Sequence, residues 1–265
     1  MHCPLCTTNN PASFTATLVS KYNVSYFSCE KCGFVYTEEP YWLGEVYKEP
    51  YNDEDTGALQ RNLLMANIIP SVIFSFFNTD GRFLDFGGGH GILARLMRDK
   101  GFDFYWHDAN AKNIFCRGFE FTKETGPVEL VTAIECFEHF SRPLEEIEAM
   151  LALSPNIFFT TDLLPSPVPG PDQWYYYGPT HGQHISFYSP VTLFYLAKRF
   201  GCNVYSNGFN MHLFTKKDIN PARFRKALRP GYLTLRKIRK RLAGRTQADH
   251  DLLVEKKQQG KTPLP

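Results

Sequence analysis

The chain has 265 residues, of which 43% are apolar and 21% are charged, and its formal net charge is +2. This composition is typical of a globular protein, and no apolar run approaches the roughly 18 residues of a membrane span. The first residues, MHCPLC, lack the basic and then apolar pattern of a signal peptide. We therefore expect a cytoplasmic protein whose cysteines stay reduced.

Two C-x2-C pairs open the sequence, Cys3 with Cys6 and Cys29 with Cys32, and 22 residues lie between the pairs. Four thiolates suit the tetrahedral coordination that Zn²⁺ prefers. The intervening segment has the length and β-propensity of a hairpin, so we predict a small zinc ribbon over residues 1–37. Four protein ligands leave no open coordination position, which indicates a structural ion. The alternatives are two unrelated pairs or a redox motif.

A linker and an N-terminal cap helix are expected over residues 38–80, with the helix at 56–77. Beyond them, strands and helices alternate, which indicates a doubly wound, mostly parallel α/β sheet. Only the letters GFN separate the last two strands, so the last strand should pair antiparallel at one edge. The seven predicted strands lie at 83–87, 103–107, 118–121, 129–135, 157–162, 202–207 and 210–215. The predicted helices lie at 91–100, 111–116, 143–153 and 190–200.

A glycine-rich turn, LDFGGGHG, follows the first of these strands and precedes a helix. A strand, a glycine turn and a helix together deliver backbone N–H groups and a helix N-terminus to a ligand. The spacing G-x-G-x-G departs from the dinucleotide fingerprint, because Ile92 stands where that fingerprint places a glycine. The turn alone does not choose between nicotinamide and other nucleotide sites.

Together with WHDAN downstream, this turn resembles the S-adenosylmethionine (SAM) site of class I methyltransferases. The resemblance implies that Asp108, 23 residues after Asp85, binds both ribose hydroxyls of SAM. It implies that Asp85 orders the glycine turn near the methionine end. Gly87, Gly88 and Gly89 are then the positions at which the backbone approaches the cofactor.

Further matches extend this resemblance over residues 82–215, so we assign 81–218 to a Rossmann-like methyltransferase domain. LVTAIECFEHFSRPLEEI resembles the fourth strand of the family and its E-x-x-E-H turn. The resemblance places Phe119 and Glu120 beside the adenine and includes Glu135 among the cofactor-binding residues. The zinc ribbon further resembles a subgroup of bacterial methyltransferases from sugar, polysaccharide and natural-product pathways.

The acceptor is expected in the long irregular stretch 163–190, because loops after the carboxyl ends of strands form the ligand crevice of such sheets. Trp174, Tyr175, Tyr176 and Tyr177 can stack on an apolar sugar face and donate hydrogen bonds to its hydroxyls. We therefore predict these four residues as substrate-binding.

A hydroxyl acceptor also needs a base, for which histidine is the usual residue at neutral pH. We rank His181 and His184 first and second, with Glu135 and His139 as alternatives. The H-x-x-H pair can instead be a second metal site, or brace its loop by hydrogen bonds.

The C-terminal segment 219–265 is expected to be a basic tail. Residues 216–245 contain twelve Lys or Arg and one acidic residue, whereas residues 1–215 carry a charge of −9. Leu235, Ile238 and Leu242 can share one helical face, which fits peripheral binding to an anionic membrane surface, here the inner membrane. A solvated tail without a specific partner is the alternative.

These observations predict a SAM-dependent methyltransferase that O-methylates a sugar or polysaccharide precursor. C- or N-methylation of a natural-product intermediate is the alternative. Nucleic acid is an unlikely substrate, because residues 1–215 are acidic and no Asn-Pro-Pro-Tyr-like motif follows the fourth strand.

Overall fold

A computed structural model describes residues 1–47 and 55–260, which divide into two compact units. The first unit comprises Met1–Glu54 and Ala133–Asp218, and the second comprises Asp55–Thr132 and Ile219–Pro265. In chain order the elements are β1 (Ala12–Leu18), β2 (Tyr22–Ser28), β3 (Val35–Thr37), α1 (Leu43–Val46), α2 (Ala58–Phe76), β4 (Arg82–Phe86), α3 (Ile92–Asp99), β5 (Asp103–His107), β6 (Leu130–Ile134), α4 (Pro143–Leu153), β7 (Asn156–Thr160), β8 (Ser186–Phe187), α5 (Pro190–Phe200), β9 (Asn203–Ser206), β10 (Met211–Thr215), α6 (Pro221–Ala227), α7 (Tyr232–Arg241) and α8 (Thr246–Gln258).

The larger sheet has six strands in the order β5-β4-β6-β7-β10-β9. Strand β4 pairs parallel with β5 and with β6, whereas β10 pairs antiparallel with both β7 and β9. The prediction of a mostly parallel α/β sheet with a reversed last strand is confirmed. The strand predicted at 118–121 does not join the sheet as a regular strand and contributes only an isolated bridge between Glu120 and Trp106.

The helix predicted at 111–116 does not form, and the segment consists of bends. Side chains bind the backbone groups that a helix would need. The Asp108 carboxylate accepts the N–H groups of Asn110 at 2.8 Å and Ala111 at 2.7 Å, and Asn113 accepts that of Cys116 at 2.9 Å. Such local hydrogen bonds offer the backbone an alternative to helix, which explains the error.

Helix α5 shows how local sequence sets the bounds of an element. Ser189 accepts the N–H of Thr192 at the N-cap, and Pro190 occupies the first turn, where its missing N–H costs nothing. Gly201 ends the helix in the left-handed conformation, with φ 62°. The predicted helix at 190–200 is therefore confirmed.

The first unit contains a four-stranded antiparallel sheet in the order β1-β2-β3-β8. Strands β1 and β2 form the hairpin that was expected between the cysteine pairs. Strand β8 comes from the stretch 163–190 and extends this sheet. The aromatic core beneath the sheet is shared by both segments and includes Tyr26, Trp42, Tyr176, Tyr177 and Phe187.

The region expected to be a basic tail forms three helices, α6 to α8, within the second unit. Phe224 of α6 and Ile238 of α7 are buried, and Leu235 and Leu242 are half-buried. The apolar face predicted for membrane contact is therefore used for packing inside the protein. The described part of this segment is a folded portion of the second unit.

A buried ion pair attaches α8 to α3. Arg98, 1% exposed, donates to both carboxylate oxygens of Asp249 at 2.8 and 2.6 Å, and Asp249 is 4% exposed. The same guanidinium donates to Asp103 at 2.9 Å and to the Phe104 carbonyl at 2.8 Å. Fully satisfied hydrogen bonding is what makes a buried ion pair tolerable.

We expect Asp249→Ala to lower the free energy of unfolding by about 3–5 kcal/mol, because it leaves the buried Arg98 charge without its main partner. Urea unfolding at neutral pH measures the effect. Asp251→Ala removes an exposed carboxylate from the same helix and should change stability by less than about 0.5 kcal/mol. Equal losses in the two variants would contradict this account.

Candidate functional site

The glycine turn between β4 and α3 has the backbone that only glycine adopts readily. Gly87, Gly89 and Gly91 have φ values of 66°, 52° and 86°. At Gly88 the reason for glycine is different, because the neighbouring side chains leave no room for a Cβ atom. A Cβ atom there would lie 2.8 Å from Asp85 Oδ2 and 2.8 Å from Trp106 Cδ1. The turn therefore packs closely against the Asp85 carboxylate and the Trp106 ring.

Asp85 lies at the end of β4 and is 2% exposed. Its Oδ1 accepts the Thr132 hydroxyl at 2.9 Å, whereas its Oδ2 has no hydrogen-bond partner among the described residues. Burial raises the pKa of this carboxyl to about 7; the Thr132 hydrogen bond opposes the rise and the nearby Asp108 charge adds to it. A buried carboxylate oxygen that lacks a hydrogen-bond partner and lies beside a glycine turn is typical of a ligand-binding site.

Asp108 follows β5 and binds the glycine turn directly. Its Oδ2 accepts the N–H of Gly89 at 2.9 Å. Its Oδ1 accepts the N–H groups of Asn110 and Ala111, in the segment where a helix was predicted. The side chain is half-buried. A carboxylate has about four lone-pair positions, so hydrogen-bonding capacity is left for neighbouring hydroxyls.

Phe119 and Glu120, expected beside the adenine, have partners within the second unit. The Phe119 ring is 4% exposed, and the Arg98 guanidinium carbon lies 3.6 Å from its centroid. Glu120 accepts the Asn113 side-chain amide at 2.6 Å and the Gly118 N–H at 2.9 Å. Both residues thus support the segment after β5, a role that the sequence did not indicate.

The four cysteines meet as predicted. The Sγ atoms of Cys3 and Cys32 are 3.6 Å apart, those of Cys6 and Cys29 are 3.4 Å apart, and all four lie within 4.8 Å of one another. A disulfide needs about 2.05 Å, whereas a tetrahedral zinc site with bonds of about 2.3 Å places sulfurs about 3.8 Å apart. The hydrogen bond between Cys3 and Cys32 lowers the pKa of Cys3 and raises that of Cys32, so the two thiols share one proton between them. This donor set fits a Zn²⁺ ion.

Each cysteine knuckle closes in the same way. The residue after the second cysteine, Thr7 or Gly33, has a positive φ of 61° or 69°. Its N–H donates to the carbonyl of the first cysteine, at 2.9 Å to Cys3 and 2.7 Å to Cys29. The two knuckles are therefore equivalent backbone structures, which places paired thiols on one side of each turn.

Glu135 follows β6 in a strained backbone conformation, with φ 52°. Its N–H donates to the Thr160 hydroxyl at 2.9 Å, and that hydroxyl donates to the Glu135 carboxylate at 2.6 Å. Non-glycine residues at positive φ concentrate at functional sites. The sequence indicated Glu135 but not Thr160, which lies 25 residues away.

The three predicted histidines of the first unit lie close together, with ring centroids 5.0 Å apart for His139 and His184 and 4.6 Å apart for His181 and His184. Carbonyl oxygens only accept hydrogen bonds. Nδ1 of His184 therefore donates to the Tyr176 carbonyl at 2.6 Å, which leaves the lone pair on Nε2. Nδ1 of His139 lies 2.8 Å from the Tyr47 hydroxyl and 3.1 Å from the Gln183 carbonyl, so it can accept from the hydroxyl or donate to the carbonyl.

His181 has the opposite arrangement. Its Nδ1 accepts the N–H of Gln183 at 3.1 Å, so the neutral ring carries its proton on Nε2. Because the lone pair of His181 is engaged by an N–H group, His181 is less suited to accept a proton than His184. The first rank that the sequence gave to His181 is not favoured by this geometry.

Glu138 is the buried residue that the site prediction omitted. It is 0% exposed, and neither carboxylate oxygen has a hydrogen-bond partner among the described residues. Burial raises its pKa to about 7, and the nearby Tyr176 and Thr161 hydroxyls oppose the rise. Those two hydroxyls lie 3.3 Å from each other. The signal was present in the E-x-x-E-H turn, where Glu138 stands between Phe137 and His139.

The aromatic run expected to bind substrate is mostly core. Tyr176 and Tyr177 are 4% and 1% exposed, and Trp174 packs against the same cluster. Tyr175 is 75% exposed and donates a short hydrogen bond to Asp162. Of the four residues, Tyr175 is exposed and Trp174 is half-buried, whereas Tyr176 and Tyr177 are buried in the core of the ribbon sheet.

Residues 59–207 match the model of a family described as "Methyltransferase domain". The chain belongs to this family. The prediction of a class I, SAM-dependent methyltransferase is thereby confirmed at the level of family and reaction class. The acceptor and the zinc ion stay predictions. No curated protein sequence matches this methyltransferase significantly.

Solved methyltransferase structures are similar to this methyltransferase at low identity. The plantazolicin methyltransferase BpumL, solved with SAH, is 14% identical, with a TM-score of 0.44 over 65% of this chain and 94% of that chain. Magnesium protoporphyrin IX methyltransferase from Synechocystis PCC 6803 is 10% identical, with a TM-score of 0.40 over 65% and 90%. An O-methyltransferase family protein from Burkholderia thailandensis is 13% identical, with a TM-score of 0.40 over 68% of each chain.

The raised pKa of Asp85 makes the stability of the methyltransferase depend on pH. Between about pH 4 and pH 7 the folded state keeps a proton that the unfolded state has released, so the free energy of unfolding falls as pH rises. We expect Asp85→Asn to remove up to about 4 kcal/mol of this dependence. Urea unfolding of both proteins across this window measures it.

The matched control is Asp80→Asn, which alters an exposed carboxylate just before β4. Its unfolding free energy should follow that of the wild type at every pH. A difference between Asp85→Asn and the wild type that stays constant with pH would contradict the burial of a titrating Asp85.

Proposed function

We propose that this methyltransferase transfers a methyl group from SAM to a hydroxyl of a sugar or polysaccharide precursor. The observation that carries the proposal is the glycine turn, with Asp108 hydrogen-bonded to Gly89 and a buried Asp85 oxygen that has no hydrogen-bond partner among the described residues. When bound, SAM supplies an electrophilic methyl group on a sulfonium. Asp85, Asp108 and the backbone of Gly87–Gly89 are the residues proposed to hold it.

Proton removal from the acceptor is assigned to the histidine cluster of the first unit. Nδ1 of His184 donates to the Tyr176 carbonyl, and its Nε2 is then the atom that accepts a proton or binds an ion. His139, whose Nδ1 lies 2.8 Å from the Tyr47 hydroxyl and 3.1 Å from the Gln183 carbonyl, is the second candidate. His181 is proposed as a positioning residue through its bond to Gln183. Tyr175 is the remaining candidate for stacking on a sugar face.

We also propose that the cysteine cluster holds a structural Zn²⁺ ion. The sulfur spacing and burial of Cys3, Cys6, Cys29 and Cys32 support it. The ion would fix the ends of a ribbon whose β3 carries the pairing with β8. Because structural zinc contributes directly to folding, its loss should weaken that pairing.

A cytoplasmic location with peripheral membrane attachment is a further proposal. None of the described helices has the length and hydropathy of a membrane span. Helix α7 exposes Arg236, Lys237 and Lys240, and Tyr232 beside them is 76% exposed. Since the apolar face of α7 is packed inside the unit, attraction to an anionic membrane would be electrostatic and screened by salt.

C- or N-methylation of a natural-product intermediate is the second candidate function. We prefer an oxygen acceptor because the lone pair of His184 is left on Nε2, where it can accept a hydroxyl proton. Purified protein with labelled SAM, screened against nucleotide sugars, oligosaccharides and RNA, tests the acceptor class. Methyl transfer to RNA alone, or to carbon or nitrogen alone, would overturn the sugar O-methyltransferase proposal.

Cofactor binding should depend on Asp108. We expect Asp108→Ala to weaken SAM binding by about 1.5–3 kcal/mol, the scale of losing hydrogen bonds to a charged acceptor. Calorimetry measures the affinity. Asp108→Asn keeps an oxygen for the turn and should lose less, while Asp251→Ala should bind as the wild type does. Unchanged affinity in Asp108→Ala would remove this residue from the cofactor site.

Turnover of a hydroxyl acceptor should depend on His184. We expect His184→Gln to lower kcat by about 10²–10⁴-fold, the usual contribution of a positioned base, and to leave SAM affinity nearly unchanged. His181→Gln should lose less, because its Nδ1 already accepts a hydrogen bond. The exposed His250→Gln is the control. Wild-type kcat in His184→Gln would place the proton acceptor elsewhere.

A further inference from the structure

The turn after β6 and the segment before β8 bring three metal-ligating residue types together. Glu138 and His139 lie on the turn, and His184 lies on the segment. One ligand atom from each residue lies within 4.8 Å of the other two. This cluster belongs entirely to the first unit and shares no residue with the cysteine site.

Glu138 is the observation that separates this cluster from an ordinary group of polar residues. Its carboxylate is fully buried and neither oxygen has a hydrogen-bond partner in the described chain. Buried polar atoms are nearly always paired, with protein, water or an ion. A cation beside His139 and His184 would give both oxygens a partner stronger than the nearby Tyr176 and Thr161 hydroxyls, which are the side-chain hydroxyls of the described residues that act on this carboxylate.

The imidazole of His184 is oriented as metal ligands usually are. A ligating histidine generally donates its other ring N–H to a carbonyl or carboxylate, which fixes the ring and its tautomer. His184 donates from Nδ1 to the Tyr176 carbonyl at 2.6 Å, which leaves Nε2 as its ligand atom. Nδ1 of His139 has two oxygen neighbours, the Tyr47 hydroxyl at 2.8 Å and the Gln183 carbonyl at 3.1 Å, and a metal bound at Nε2 would require Nδ1 to donate to one of them.

The backbone holds the two halves of the cluster together. The N–H of Ile185 donates to the Glu138 carbonyl at 2.8 Å, and the Ser186 hydroxyl donates to the Phe140 carbonyl at 2.7 Å. His184 is therefore fixed beside the turn by its direct neighbours in sequence. Ligands bonded at about 2.1 Å lie at most about 4.2 Å apart, so closure around an ion requires only a small side-chain adjustment.

We propose that Glu138, His139 and His184 form a second metal site, which binds a divalent transition ion of the Zn²⁺ class. Two histidines and one carboxylate match the ligand preference of such ions and leave at least one coordination position open. This inference deepens the proposed function and rests on it in one respect: the open position is where the acceptor hydroxyl binds. A bound ion would lower the pKa of that hydroxyl, whose proton would pass to water, and the imidazoles would then act as ligands in place of the base role assigned to them above.

Metal content tests the site without reference to activity. Protein stripped with a chelator is titrated with Zn²⁺, and bound zinc is measured by calorimetry and elemental analysis. We expect two ions per wild-type chain and one per chain in Glu138→Gln and in His184→Gln. His181→Gln, a neighbouring imidazole outside the cluster, should keep both ions.

Cobalt distinguishes the two sites by spectrum. Co²⁺ at the cysteines shows thiolate charge-transfer absorption, whereas Co²⁺ at nitrogen and oxygen ligands shows only the weaker d–d bands. Glu138→Gln should lose the second signal and keep the first. Circular dichroism and thermal unfolding of each variant establish that it is folded, and His139→Gln provides an independent ligand deletion.

The outcomes separate this site from the proposed function. One ion per wild-type chain, with thiolate absorption alone, overturns the second site and leaves the imidazoles as bases. Two ions in Glu138→Gln and His184→Gln overturn the assignment of ligands. Two ions in the wild type together with no methyl transfer to any hydroxyl acceptor support the site and overturn the proposed function.

Discussion

The pairing of β3 with β8 is the constraint on which the first unit depends. Val35 pairs with Phe187 and Tyr36 with Ser186, so a strand of the ribbon fixes the end of a long irregular stretch. The Trp42 indole N–H donates to the Gly182 carbonyl at 2.7 Å in the same region. Without these bonds, a segment of this length without regular structure would have little to hold its conformation.

This constraint explains why the aromatic residues of the stretch are buried. A short ribbon encloses few apolar side chains of its own, and the aromatic run supplies the missing part of its core. Tyr26 contacts Tyr177 and Phe187, with ring centroids 5.5 and 6.1 Å apart. His184 therefore packs beside this aromatic core, with its ring centroid 4.6 Å from that of Tyr176, and the packing restricts the orientation of the imidazole.

Sequence patterns over a few neighbouring residues correctly predicted the elements whose structure is set by those same residues. The strand, glycine turn and helix of residues 82–99 were evident in sequence, because glycine spacing and helical periodicity are short-range signals. The spacing of the cysteines likewise predicted their meeting. The helix at 111–116 was wrong because the Asp108 and Asn113 side chains bind the backbone, a competition that apolar periodicity does not report.

Roles that depend on distant partners were beyond the sequence. A tyrosine at position 176 is compatible with a protein core and with a sugar-binding surface. The packing of Tyr176 against the ribbon shows that it belongs to the core. The sequence does not distinguish Glu138 from the acidic residues around it, because only the structure shows that it is completely buried. Arg98 and Asp249 are 151 positions apart, so the basic composition of the last helices concealed a buried acidic partner.

The Arg98–Asp249 pair also has a consequence for the order of synthesis. The ribosome releases Arg98 long before Asp249, and the whole of the segment 133–218 is made between them. During that interval the second unit has a guanidinium that needs burial and lacks its carboxylate. Contacts between residues so distant in sequence form late. We therefore expect the second unit to remain incompletely folded on the ribosome until the residues of the first unit have been synthesised.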